Sequence, residues 1–400
     1  MALKHNGKMI PKPKTNNNMS DLGFNDDVSA GSRKFHIQTA TLVDDGMIRT
    51  EVFEKGRLLY VEHHRYERRN PDQAKGPEER LRHLVDQFHQ SVIEEIDCLF
   101  EMSERIFEED IASAHEKIGL VFLYSHIFDK AENHFQRAIE LEAKRYSSYV
   151  YLARCCFLQK RYNQAYEIVT DIIKQDIKYP DIYNMMGLVL MEKGRSRKSL
   201  QFFREAIKHN STYIEAYFNF AEAILRHIKA LIAERKEEEI KKSLTFLRII
   251  LKKIINHGDA EDRKQSQLVG KLMSKLDLGK ALAQLNEYRE HNFIRQTPPE
   301  IAGYKFYLRL LYSEEEMSTE ALETYEEKIS EALQKNPSYP DLWQYLALIH
   351  LMQCRHYFLK GLDNFRDATR INPHFDRAVK NLRLVENDGR EFLALIKTIV

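Results

Sequence analysis

A small-residue position recurs in this chain at a fixed step of 34 residues, at Gly119, Ala153, Gly187 and Ala221. The surrounding slots keep the same step. Three residues ahead of Ile118, Leu152, Met186 and Phe220 stand His115, Tyr149, Tyr183 and Tyr217. A second small slot holds Ala131, Ala165 and Ser199, followed by Phe135, Val169 and Phe203 and then by Ala138, Ile172 and Ala206. Apolar residues three and four apart inside such a period describe a helix, a turn and a second helix, repeated. One such unit cannot bury its own apolar face, so successive units must stack. The small slots let paired helices approach closely, and the larger side chains fill the space between pairs. The expected fold is therefore mainly α, an α-solenoid of helix pairs.

These residues carry a resemblance to the tetratricopeptide repeat family of bacterial type. Its pattern W-x2-L-G-x2-Y, then A-x3-F-x2-A, then P, is met at 112–145 and 180–213 and more loosely at 146–179, with the late proline missing from all three. The resemblance covers 112–226 closely and 299–390 less closely. It implies a right-handed solenoid whose concave groove binds a peptide or protein surface, without catalysis, cofactor or metal. The family's groove positions fall here on Lys117, Leu120 and Tyr124, on Val150, Arg154 and Phe157, on Asn184, Leu188 and Met191, and on Asn219, Glu222 and Arg226. Such a mixed lining suits a segment bringing hydrophobic anchors and a polar handle. Some relatives clamp a C-terminal carboxylate with Lys and Asn. The ninth positions here are Leu120, Arg154, Leu188 and Glu222, so that clamp is not expected.

The rest of the chain divides by its patterning. Residues 1–33 are polar and without periodicity and read as a disordered leader. Residues 34–70 contain the two-residue rhythm of strands from Phe35 to Tyr66, broken at Asp45-Gly46 and Lys55-Gly56, which predicts a three-stranded antiparallel β-meander. With the following helix it looks like a small module found ahead of such repeats in some bacterial proteins. Its outer edges are open to pairing with another copy. The segment 78–111 places Leu81, Leu84, Val85, Phe88, Val92, Ile96, Leu99 and Phe100 on one helical face that can cover the sheet. The repeat array is expected over 112–258, with a long fourth unit interrupted by the charged run 234–242. A divergent helical segment follows over 259–298. Repeat-like units and capping helices are expected over 299–400, with Trp343, Leu346 and Ala347 opening a pair, Gly361, Phe365 and Ala368 in its second helix, and a capping pair after Phe375.

Charge excludes a global field for nucleic acid or membrane, since 61 basic residues face 60 acidic ones. A nucleic-acid-associated regulator using local patches, such as Arg195 to Lys198 or Lys252-Lys253, is the alternative reading. No apolar run approaches the roughly 18 residues of a membrane span, so no membrane insertion is expected. The polar start and the unpatterned Cys98, Cys155, Cys156 and Cys354 fit a reducing, cytoplasmic location. Histidines His115, His126 and His134, and His63-His64, lack the spacing of a metal site: the residue four after His115 is Gly119. Cys155 and Cys156 lie inside a repeat helix and read as small core residues. No phosphate-binding glycine loop or nucleophile elbow occurs. The partner expected is a protein or peptide.

Overall fold

The computed structural model describes residues 22–42, 45–66, 77–175, 177–314, 316–335 and 337–399. It divides into two units, Met1–Phe100 and Glu101–Val400. In the first, β1 (Gly23–Ala30), β2 (Arg33–Leu42), β3 (Met47–Glu54) and β4 (Arg57–Arg65) form an antiparallel sheet in that order. Strand alternation sets its faces: Phe35, Ile37, Thr39, Ile48, Thr50 and Val52 are buried while their neighbours along each strand are more exposed. The β3–β4 turn places Lys55 and Gly56 at φ 50° and 76°, the left-handed pair that a tight hairpin requires. The helix α1 (Pro77–Glu109) starts in this unit, and its residues Leu81, Val85, Phe88, Val92 and Ile96 are buried. Thr39 Oγ1 lies 2.7 Å from His89 Nδ1, and the Phe35 and Phe100 rings lie 5.6 Å apart.

The sheet has four strands, not three. Strand β1 falls within 1–33, the stretch read from sequence as a disordered leader. Its pattern was hidden because it is an edge strand with one buried residue, Ala30, and the run Asn25-Asp26-Asp27 erases any apolar rhythm. Residues 1–21 and 67–76 lie outside the described residues.

The second unit holds the repeats. Helices α2 (Ala112–Tyr124) and α3 (Phe128–Leu141), α4 (Tyr146–Leu158) and α5 (Tyr162–Ile173), and α6 (Pro180–Glu192) and α7 (Ser196–His209) form three pairs, and α8 (Ile214–Ala233) with α9 (Glu237–His257) forms a longer fourth. Each pair turns through a left-handed residue, His126, Lys160, Gly194 or Arg235.

The recurrent small slot sits against the partner helix. A Cβ on Gly119 would stand 2.7 Å from the Phe135 ring, and one on Gly187 would stand 2.5 Å from the Phe203 ring. The second pair solves the same packing in reverse, with Ala153 in the small slot and Val169 in the large one. We therefore expect Gly187→Ala to cost about 1–2 kcal/mol through overpacking. Adding Phe203→Val should recover part of that loss, as a double-mutant cycle in urea would measure.

Beyond the array come α10 (Ala260–Ser274), α11 (Leu278–Arg289), a π-helical turn at Glu290–Arg295, α12 (Glu300–Tyr312), α13 (Thr319–Lys335), α14 (Pro340–Ile371) and α15 (Asp376–Ile399). The pair expected around Trp343 and Gly361 is one continuous helix, α14. No Gly, Pro or other breaker stands between Ala347 and Gly361, so nothing ends the helix there. Gly361 has open space where a Cβ would stand, and Trp343 is 52% exposed, its indole N–H donating to the Pro337 carbonyl at 2.9 Å. The capping pair expected after Phe375 is likewise the single helix α15. One apolar core runs from Val150 to Tyr288, and another joins Phe306 to Ile349.

Candidate interaction site on the first-helix face

The first helices α2, α4, α6 and α8 are neighbours of one another, so their shared face is the place where a repeat groove would lie. Much of that face is taken by the chain itself. Every residue of α6 from Asn184 to Met191 is buried, which requires cover on all sides of the helix. Helix α6 packs against α4, α5, α7 and α8, and the neighbouring first helices are covered in turn by α11 on α8 and by α12 on α2. The Tyr288 and Phe293 rings lie 4.8 and 5.6 Å from the Phe218 ring. Lys117 Nζ sits 4.8 Å from the centre of the Tyr307 ring, and burial there lowers its ammonium pKa.

The sequence-predicted groove residues accordingly divide. Leu120, Val150, Phe157, Leu188 and Met191 are core side chains. Asn184 and Asn219 are also buried, Asn219 Nδ2 donating to Asn184 Oδ1 at 3.0 Å. Glu222, fully buried, joins a network of four charges. Arg226 NH2 lies 2.7 Å from Glu222 and 3.1 Å from Glu192, while Arg289 reaches Glu222 at 3.1 Å and Glu192 at 3.5 Å. Lys117 packs on tyrosines. Of the residues read from sequence as a groove lining, Lys117, Arg154 and Glu222 meet the chain's own later segments, at Tyr307, Phe293 and Arg289.

Tyr124 and Arg154, with Val150 and Asn184, border what remains open, a cavity of about 190 Å³. Ser147, Tyr151, Tyr179, Asp181, Met185, Tyr213 and Glu215 complete its wall. Tyr179 and Tyr213 immediately precede α6 and α8, and Asp181 and Glu215 occupy the first turns of those helices. There the peptide dipoles favour carboxylates over cations. Arg154 donates to the Phe293 carbonyl, and its guanidinium lies 5.7 Å from the centre of the Tyr124 ring. Asn184 Nδ2 donates to the Tyr213 hydroxyl and to Glu215 Oε1, both at 3.2 Å. Burial raises the Glu215 carboxyl pKa; Arg154 opposes the rise and the nearby Asp181 charge adds to it. Burial, with Asp181 beside it, pushes the Tyr179 phenol up to about 12.

Sequence reasoning missed this constellation, although its signal was present. Ser147, Asp181 and Glu215 follow one another at 34-residue steps, as do Tyr179 and Tyr213. They stand at the entrances of the first helices, ahead of the slots that define the core.

The histidines resolve differently. His115 and His134 do meet, with Nδ1 atoms 2.8 Å apart, and His134 Nε2 lies 2.8 Å from Ser103 Oγ. His115 Nε2 lies 3.4 Å from Asp110 Oδ1. The two Nδ1 atoms are spent on each other in a buried chain. Among the described residues no group of three or more His, Cys, Asp or Glu is placed to hold a metal. His64 rests against the Phe88 ring at 5.3 Å while His63 is exposed. Cys155 and Cys156 are buried, and burial raises both thiol pKa values. Among the described residues no helix is long and apolar enough to cross a membrane.

No family model and no curated protein sequence matches this chain. Among solved structures, it is similar to YrrB, described as a TPR protein with an unusual peptide-binding site, at 13% identity and TM-score 0.29 over 60% of this chain and 95% of that one. A thermophilic TPR protein of Thermus thermophilus is similar at 16% identity and TM-score 0.30, over 60% of this chain and 100% of that one. A tetratricopeptide repeat protein of Parabacteroides merdae is similar at 15% identity and TM-score 0.32, over 70% and 99%. At these scores no property of those proteins transfers, and the solenoid assignment rests on this chain's own helix pairing.

Proposed function

We propose that the chain is a non-catalytic scaffold or adaptor that receives a segment of another protein at the polar pocket between α2, α4, α6 and α8. The observation that supports this reading is the convergence of Tyr124, Tyr151, Arg154, Tyr179, Asp181, Tyr213 and Glu215 on one open cavity. These residues come from successive repeats, so no single helix pair builds the site. Polar groups placed this way in a water-accessible recess fix orientation and specificity rather than supply reaction chemistry. Helix α11 on α8 and helix α12 on α2 cover part of the first-helix face and direct a partner to the pocket and its rim.

A nucleic-acid ligand fits less well, because a phosphate entering the pocket would meet the carboxylates of Asp181 and Glu215. The proposed function is tested by affinity capture from the native cell with Asp181→Arg, set against Glu167→Arg on the exposed side of α5. The expected result is loss of specific partners with the first variant and retention with the second, both variants keeping the parental melting temperature. Equal capture by both would contradict it.

A further inference from the structure

Helical glycines in this chain serve as seats for aromatic rings. A Cβ on Gly119, Gly187, Gly303 or Gly389 would collide with the ring of Phe135, Phe203, Tyr345 or Phe358, each on a neighbouring helix. Gly361, inside α14, offers such a seat with no ring in it: nothing lies within 4 Å of where its Cβ would stand. Glycine in a helix interior is destabilising relative to alanine, and packing within the chain does not explain that cost here. Gly270 is open too, but its helix α10 carries no aromatic residue.

Exposed rings accompany Gly361. At 3.6 residues per turn, Trp343, Ala347, His350, Cys354, Tyr357 and Gly361 fall on one stripe of α14 about 27 Å long. Trp343 and Tyr357 are 52% and 57% exposed, and Ala347, His350 and Cys354 are exposed with them. No Asp, Glu, Lys or Arg stands on the stripe, in a chain where 30% of residues are charged. Glu326 of α13, which borders it, is engaged by His350 and Gln353. Large side chains recur at 343, 350 and 357 and small ones at 347, 354 and 361, the seven-residue step that keeps one face toward a partner helix. A second α14 laid antiparallel, about a two-fold axis level with Met352, sets every large residue against a small one. Trp343 then meets Gly361, His350 meets Cys354 and Tyr357 meets Ala347. A parallel arrangement would set ring against ring.

We propose that this stripe is the contact through which two copies of the chain pair, antiparallel and two-fold symmetric, with Trp343 of each copy seated on Gly361 of the other. One patch serves both copies, as an isologous interface requires. The exposed halves of the Trp343 and Tyr357 rings contribute roughly 100 Å² each. The whole contact then reaches at most roughly 1,000 Å², the size of a reversible association rather than a permanent dimer. It uses none of the pocket residues, and it gives the scaffold two pockets per assembly.

The test follows the full chain by sedimentation equilibrium from about 1 to about 300 µM, where a monomer–dimer equilibrium with a dissociation constant of roughly 10–100 µM is expected. Cys354 is a native reporter, because Cys98, Cys155 and Cys156 are buried. It lies two residues from the axis, about 6 Å along the helices from its counterpart, so a short bismaleimide should join two chains. Cys354→Ser should abolish that product. Gly361→Trp fills the seat where the single chain has open space, so it should keep the parental melting temperature and weaken pairing by about tenfold or more. Adding Trp343→Ala places a small residue opposite the new ring and should restore pairing at least in part. In irradiated cells a photoreactive residue at position 357 should report the pairing as an adduct of twice the chain mass, distinct from any partner adduct. A chain that stays monomeric at about 300 µM overturns the proposal, as does a folded Gly361→Trp variant that pairs like the parent. A dimer that the bismaleimide does not join through Cys354 also overturns it, and assigns the pairing to another surface. If Gly361→Trp does not fold, sedimentation and the Cys354 product of the parental chain decide alone.

Discussion

Replacing Arg289 by Ala should be among the most damaging single changes in the protein, costing about 3–5 kcal/mol in urea unfolding. Its partner Glu222 is fully buried, and Arg289 itself is 5% exposed. Removing one member of a buried ion pair leaves the other charge in a poorly solvating interior, which is where costs of about 3–5 kcal/mol are found. Arg226 remains 2.7 Å from Glu222 and offsets part of the loss, which places the expectation toward the lower end. Burial already raises the Glu222 carboxyl pKa, with Arg289 the largest opposing influence. A double variant, Arg289→Met with Glu222→Leu, should be far less damaging, because it removes the charges together. If Arg289→Ala unfolded at the parental urea midpoint, α11 would not be held on the first-helix face as described.

The second large effect is a loss of stability in acid. His115 and His134 are fully buried, and burial lowers both pKa values, His134 to about 2. Ser103, Asp110, Lys130 and Arg137 face the pair from α1, α3 and the intervening turn, with the Phe107 and Phe122 rings packed on the imidazoles. Asp110 opposes the depression at His115, while its own charge is chiefly engaged by Arg137. In the unfolded chain both histidines bind protons near pH 6.5, whereas the folded state keeps them neutral. The unfolded state therefore holds more protons below that pH, and stability must fall as pH falls. Above pH 6.5 the contribution is fully present. Each histidine removes about 1.4 kcal/mol per pH unit, so by about pH 5.0 the pair should cost roughly 2–4 kcal/mol. Urea titrations at about pH 7.5 and about pH 5.0 measure this, and His115→Phe with His134→Leu should flatten the difference.

What the sequence made legible follows from the range of each interaction. Paired helices from 112 to 257 repeat a local spacing, so Gly119, Ala153, Gly187 and Ala221 marked their register directly. The same spacing misled near Gly361, where matching residue types recur along one unbroken helix. Strand β1 escaped because an exposed edge needs little apolar alternation. The assignment of Lys117, Glu222 and Arg226 to an open groove stopped at the repeat. Tyr307, beside Lys117, and Arg289, paired with Glu222, lie far along the chain, while Arg226 pairs with Glu222 and Glu192 inside the repeats themselves. Tyr179, Asp181, Tyr213 and Glu215 were readable in register, yet they precede the core slots on which the pattern was built.

Photocrosslinking tests the central proposal most directly. A photoreactive amino acid is placed in the full chain at Tyr151 in the pocket, at Glu167 on α5, or at the exposed Tyr357 on α14, and each is irradiated in the native cell. The account predicts a discrete protein adduct from position 151, absent from 167 and 357 and suppressed by Asp181→Arg. Adducts confined to 167 or 357, with position 151 silent, would contradict it.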